Sequence, residues 1–179
     1  MSMLMAFLLL WQTVVYVPEA SQAQKDAAVA AAAAQIAADN AKQVANPYDA
    51  EADAEAQLAS AIANAASANK RVLIVMGANW CHDSRDLAKW MNSPRFKTML
   101  APLYEIVFVD VGTPQTGNGR NLQIAKRYGI KKMKKTPLLL VITPLGERLN
   151  SKKDAISWNN ASSREENAVF AYFAEFTSA

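Results

Sequence analysis

Three short apolar runs constrain this chain more than anything else in it. They read RVLIVMGA at 71–78, YEIVFVDV at 104–111 and TPLLLVIT at 136–143. Each run is continuous rather than alternating, which is the pattern of a strand covered on both faces. The stretches between them carry a helical period. In CHDSRDLAKWMNS, Leu87, Trp90 and Met91 fall on one face. In RNLQIAKRYG, Gly129 stands where a helix is closed by a left-handed residue. Strands alternating with helices predict an α/β domain around a central sheet.

The remaining elements follow from local signals. A helix is expected over 48–68, with Asp49, Glu51, Asp53 and Glu55 near its start and Leu58 and Ile62 on its apolar stripe. Pro94 separates the helix after the first strand from a short second piece. GTPQTGNG at 112–119 reads as a loop. Its glycines follow a strand without the Lys-Ser or Lys-Thr of a phosphate cradle. PLGE at 144–147 reads as a turn and RLN as the start of a short fourth strand. The last helix is expected to start at Ser162 or Ser163, with Glu165 or Glu166 closing a capping box. Val169, Phe170, Phe173 and Phe176 would form its apolar face.

The N-terminal third has a different character. Residues 3–17, MLMAFLLLWQTVVYV, form an apolar run short for a membrane span but suited to the core of a secretion signal. Pro18 ends the run, and small residues at Ser21 and Ala23 place cleavage after Ala23. The expected organisation is a signal peptide at 1–23, an Ala-rich helical spacer at 24–46 and a folded domain at 47–179. Without cleavage the segment would be a membrane anchor. Hydrophobic residues make up 51% of the 179, a figure inflated by alanine, and the net charge is only +3. So mild an excess does not suggest nucleic-acid binding, which would want a concentrated basic face with aromatic or groove-reading residues. Export implies an oxidising compartment, in which a single cysteine makes no internal disulfide.

That cysteine sits in ANWCHDSR at 78–85, beside the chain's one histidine. Cys81 falls where a strand ends and a helix begins. The first amides of a helix have no intrahelical acceptor, and with the helix dipole they stabilise an anion. A thiol placed there ionises more readily than a free one, and the thiolate is the reactive form. The alternative is a small, inert core cysteine. His82 is read as a tuner of Cys81 or an exposed bystander. One His and one Cys do not make a zinc site, so no metal or other cofactor is expected. Trp80 is read as a shield of the thiol and a substrate contact, and Trp90 as core.

Strand, GANWCHDS and helix together resemble the thioredoxin superfamily, whose site is Trp-Cys-x-x-Cys at the start of a helix. The closest likeness is to exported bacterial members of it. YGIKKMKKTPLLLV resembles the segment that leads to the family's cis-proline, which faces the active-site cysteine. Pro137 takes that role, preceded by Thr136. PLGE before the last strand is a third match. The likeness spans about 48–178. It implies a thioredoxin-like fold, a central mixed β-sheet flanked by helices, here with an Ala-rich helical extension. It also implies exchange with protein disulfides in the periplasm.

The departures carry as much meaning. The family's second cysteine is Ser84 here, and a hydroxyl can only donate a hydrogen bond to the Cys81 thiolate. The buried acid often found six positions before the first cysteine is Val75 here. Ordinary dithiol reductase activity is therefore not expected. Two readings stay open. In one, Cys81 exchanges as a monothiol with protein disulfides or glutathione mixed disulfides, and an external thiol reductant releases the adduct. In the other, the domain is a non-catalytic module that docks peptides or proteins in its groove. Cys81, Ser84 and Pro137 are the candidate catalytic residues. Trp80, His82, Thr136 and Lys135 are the candidate substrate contacts. The lysines at 131, 132, 134 and 135 are either a solvated loop or an electropositive rim that attracts acidic partners.

Overall fold

The structure is a computed structural model that describes residues 21–176. The apolar run at 3–17 lies outside those residues. Among the described residues, no helix is long and apolar enough to cross a membrane. Helix α1, Gln22–Ala45, is the expected Ala-rich element. Its larger apolar residues, Val29, Ile36 and Val44, are all exposed.

The first large buried side chain of the described residues is Tyr48, which is 1% exposed. Helix α2 is Ala54–Ala68, six residues shorter at its start than expected. The Asp53 carboxylate accepts hydrogen bonds from the amides of Glu55 and Ala56, and so places the cap there. Residues 48–53 stay outside the helix. Strand β1, Arg71–Gly77, follows. Helices α3, His82–Asn92, and α4, Pro94–Leu100, cross over to β2, Tyr104–Asp110. The expected loop at 112–119 is a small hairpin. Its strands are β3, Gly112–Thr113, and β4, Asn118–Gly119, with a helical turn between them. Helix α5, Leu122–Arg127, ends on Gly129 at φ +85, as read from the sequence. Strand β5, Leu138–Ile142, completes the sheet.

The central sheet has the order β2-β1-β5. β2 runs parallel to β1, with Leu73 beside Ile106. β5 runs antiparallel to it, with Val75 beside Leu139. The sheet is mixed and flanked by helices, as the resemblance implied. Successive β1 residues feed opposite cores, because side chains alternate across a strand. Val72, Ile74 and Met76 meet α2 and α5 on one face. Leu73 and Val75 meet α3, α4 and the C-terminal helix on the other. Burial on both faces explains the unbroken apolar run.

The chain after β5 departs most from expectation. The fourth strand at 148–150 is reduced to one bridge, Ile142 to Arg148. Asn150 takes the place of further pairing, since its side chain accepts from the Val141 amide and donates to the Leu139 carbonyl. Helix α6, Lys152–Ser157, and a 3-10 segment at 158–163 then bury Trp158 completely. Ser162 is drawn into that segment, so it cannot cap the last helix. Helix α7, Glu166–Glu175, starts after Glu165 without a side-chain cap bond. Its Val169 and Phe173 are fully buried, with Phe170 and Phe176 partly so, as the apolar face predicted.

Phe173 is the keystone of this face. Its ring stacks on Trp158 with centroids 5.6 Å apart and meets Phe96 edge-on at 6.3 Å. Its carbonyl accepts from the Tyr104 hydroxyl at 2.6 Å. Truncation leaves a cavity that these rigid rings cannot close. Phe173→Ala is expected to lower unfolding free energy by about 3–5 kcal/mol in urea titrations.

Candidate functional site

The site is built where β1 hands over to α3. Cys81 is the residue before the helix, in an extended conformation at φ −86°, ψ 121°. The first intrahelical amide bond runs from Arg85 to the Cys81 carbonyl. The amides of His82, Asp83 and Ser84 therefore precede any intrahelical acceptor. The thiol is 7% exposed and donates to the backbone carbonyl of Thr136 at 3.4 Å. The Thr136–Pro137 peptide bond is cis, and both residues are buried just before β5. Residues 55 positions apart in the chain are thus joined at the sulfur.

The other expected site residues divide. Trp80 lies beside the thiol with half of its surface exposed, held by its indole N–H on the Gly112 carbonyl at 2.9 Å. The β3/β4 hairpin fixes the ring in this way. Lys135 is exposed, next in the chain to Thr136. His82 points into solvent, with Nε2 3.4 Å from an Asp83 carboxylate oxygen. Its side chain is 69% exposed, which fits the bystander reading better than the tuner. Ser84 is fully buried, and its hydroxyl has no hydrogen-bond partner. The bond expected from Ser84 to Cys81 is not made. The hydroxyl lies instead toward Gly77, 2.8 Å from where a Cβ on that glycine would stand. Among the described residues, no group of three or more His, Cys, Asp or Glu side chains could hold a metal ion.

Four supporting residues have no legible signal in the sequence. Tyr48 passes beneath the α3 start and donates its hydroxyl to the Ser84 carbonyl at 3.0 Å. Burial pushes its phenol far above the ordinary value. The Ser84 contact opposes that shift and the nearby Cys81 charge adds to it. The phenol therefore stays protonated and remains a donor. Asn79 holds the Tyr48 backbone from both sides, accepting from its amide at 3.2 Å and donating to its carbonyl at 2.7 Å. Arg85 donates to the Asn79 carbonyl at 2.7 Å, tying the first turn of α3 back to the loop. Asp83 accepts from the amide and the hydroxyl of Ser162, fastening the helix start to the 3-10 segment. In the sequence, Asn-Pro-Tyr reads only as a helix break, and nothing in it says what the tyrosine lies beneath.

Cys81 does not line the large cleft. That cleft, of about 980 Å³, lies between α2 and the outer edge of β2, with Ser60, Asn64 and Phe108 among its walls. The thiol instead lies against the Thr136 carbonyl, next in the chain to the exposed Trp80.

A family model described as thioredoxin-like matches residues 53–144, a span that includes both Cys81 and Pro137. Among solved structures, the chain is similar to a disulphide isomerase from Xylella fastidiosa Temecula1. The two are 31% identical over 74% of this chain and 97% of that one, with a TM-score of 0.65. No curated protein matches the chain.

Two measurements probe the packing under the thiol. A Cβ on Gly77 would stand 2.6 Å from the Tyr48 ring, and buried rings do not yield cheaply. Gly77→Ala is expected to destabilise by about 1–3 kcal/mol in chemical denaturation. The tyrosine shift fixes a pH dependence. The Tyr48 pKa is raised above its unfolded value of 10.0, so its contribution is fully present below that pH and lost above it. Tm should fall as pH rises past about 10, and less steeply in Tyr48→Phe.

Proposed function

The chain belongs to the thioredoxin-like family, and from that premise we propose that it performs thiol–disulfide exchange through Cys81 alone. The observation that carries this reading is the sulfur at the α3 start, 3.4 Å from the Thr136 carbonyl. The helix-start amides favour the thiolate. The thiolate attacks one sulfur of a substrate disulfide. A Cys81–substrate S–S bond forms, the substrate S–S bond breaks, and its second sulfur leaves as a thiolate. The Thr136–Pro137 backbone holds the mixed disulfide from the opposite side, and Trp80 shields it.

Release needs a second thiol from outside the site, because Ser84 supplies none. Val75 is fully buried and apolar, so no side chain there would take a proton from a resolving thiol. Release by the substrate's own thiol gives isomerisation, the activity named for the Xylella neighbour. Release by glutathione or another external thiol gives net reduction or deglutathionylation. The apolar N-terminal run supports a place in the cell envelope.

One observation favours the second reading, a binding module that keeps the fold and leaves the thiol idle. Cys81 is only 7% exposed, and its proton is engaged. The pH dependence of Cys81 alkylation separates the two readings. It is the chain's one thiol, so the signal needs no background mutant. Alkylation already fast near neutral pH is expected for the exchange reading, and slow alkylation there would leave the module. Ser84→Cys provides a second check. It should form an internal disulfide with Cys81 and confer insulin reduction on a protein otherwise inactive in that assay.

A further inference from the structure

The lysines at 131, 132, 134 and 135 make a strip of charge along the segment that leads into Thr136, the residue whose carbonyl meets the thiol. The segment that carries them is irregular but anchored. Ile130, Met133 and Thr136 are buried at three-residue intervals, and the four lysines between them are all exposed. The anchors fix which way this backbone faces, so the charges are displayed rather than free to fold inward. Elsewhere, Lys70, Arg95, Arg120 and Arg127 each face a carboxylate. Among the described residues, none of the four lysines has an ion-pair or hydrogen-bond partner. Four cations within five positions concentrate positive charge on this segment.

The strip leads directly to the reacting atoms. Lys135 adjoins Thr136, whose carbonyl accepts from the Cys81 sulfur. Successive Cα atoms are about 3.8 Å apart, so even the Lys131 Cα lies within about 19 Å of that of Thr136. A substrate chain whose sulfur sits at Cys81 has Lys135 close by, one residue from the Thr136 carbonyl.

We propose that the lysine strip is a substrate-recognition surface for an acidic polypeptide segment flanking the disulfide that Cys81 opens. This rests on the exchange reading above and names its substrate class. Glutathione is a poor fit to the whole strip, since its two carboxylates can engage two lysines at most. An extended acidic segment can meet all four, and electrostatic attraction raises its encounter rate with the thiol.

The test uses two peptides, each with one cysteine as a mixed disulfide with thionitrobenzoate. One peptide has a run of Glu beside the cysteine and the other has Gln at the same positions. Attack by Cys81 forms the protein–peptide disulfide and releases coloured thionitrobenzoate, so the absorbance gives the rate. The acidic peptide should react at least about tenfold faster at low ionic strength. Its advantage should shrink toward one in about 1 M salt, where the screening length is about 3 Å. In the variant combining Lys131→Gln, Lys132→Gln, Lys134→Gln and Lys135→Gln, the acidic-to-neutral rate ratio should fall close to one. Equal rates in the native protein, or a ratio that survives in that variant, would overturn the inference and leave the exchange reading standing. If neither peptide reacts with folded protein, the exchange reading fails and takes the inference with it.

Discussion

Everything at the site depends on how β1 ends. The strand is covered on both faces and paired on both edges, so its course is determined by two cores and two neighbours. It must then deliver the chain into α3 at one point, opposite the start of β5. Because β5 runs antiparallel to β1, it begins where β1 finishes, and Met76 lies beside Leu138. That pairing brings Cys81 and Thr136 to the same end of the sheet. The sulfur-to-carbonyl contact follows from sheet register, and no loop has to reach for it.

The underside of this junction is crowded in a way that serves it. Gly77 has no side chain because the Tyr48 ring and the Ser84 hydroxyl occupy the space a Cβ would need. Tyr48 is held there by Asn79, two residues along from the glycine it covers. Arg85 and Asp83 secure the first turn of α3 from two other directions. The N-terminal end of α3 is thus held against the sheet, the hairpin and the 3-10 segment. Free helix-start amides at a fixed place are what a developing thiolate requires. Ser84 occupies the position of a resolving thiol but is turned into this packing, with its hydroxyl unpartnered. Cys81 keeps its place at the helix start beside the cis Thr136–Pro137 bond, and a serine stands three residues on.

The other side of the junction is mixed: Thr136 and Pro137 are buried, while Trp80 and the lysines at 131, 132, 134 and 135 are exposed. In the proposed exchange, the packed side of the junction holds the sulfur in place, and the exposed Trp80 and lysines meet the substrate.

Much of this could be read from the chain alone. The three sheet strands, the helices between them, the Gly129 stop and the Cys81–Pro137 pair all carry local signals. Those signals are apolar runs, a 3.6-residue period, a left-handed position and a motif with its partner segment. What the sequence could not show is what depends on distant contacts. The start of α2 at Ala54, the loss of the fourth strand to the Asn150 side chain, the recruitment of Ser162 by Asp83 and the burial of Tyr48 each join residues from separate elements. The same holds for Ser84: its residue type was plain, and its orientation was not. Local sequence determines which conformation a segment favours and which residue types stand at a junction. Only the closed tertiary structure decides which polar groups find partners, because a hydrogen bond between residues far apart in sequence exists only once both are brought together.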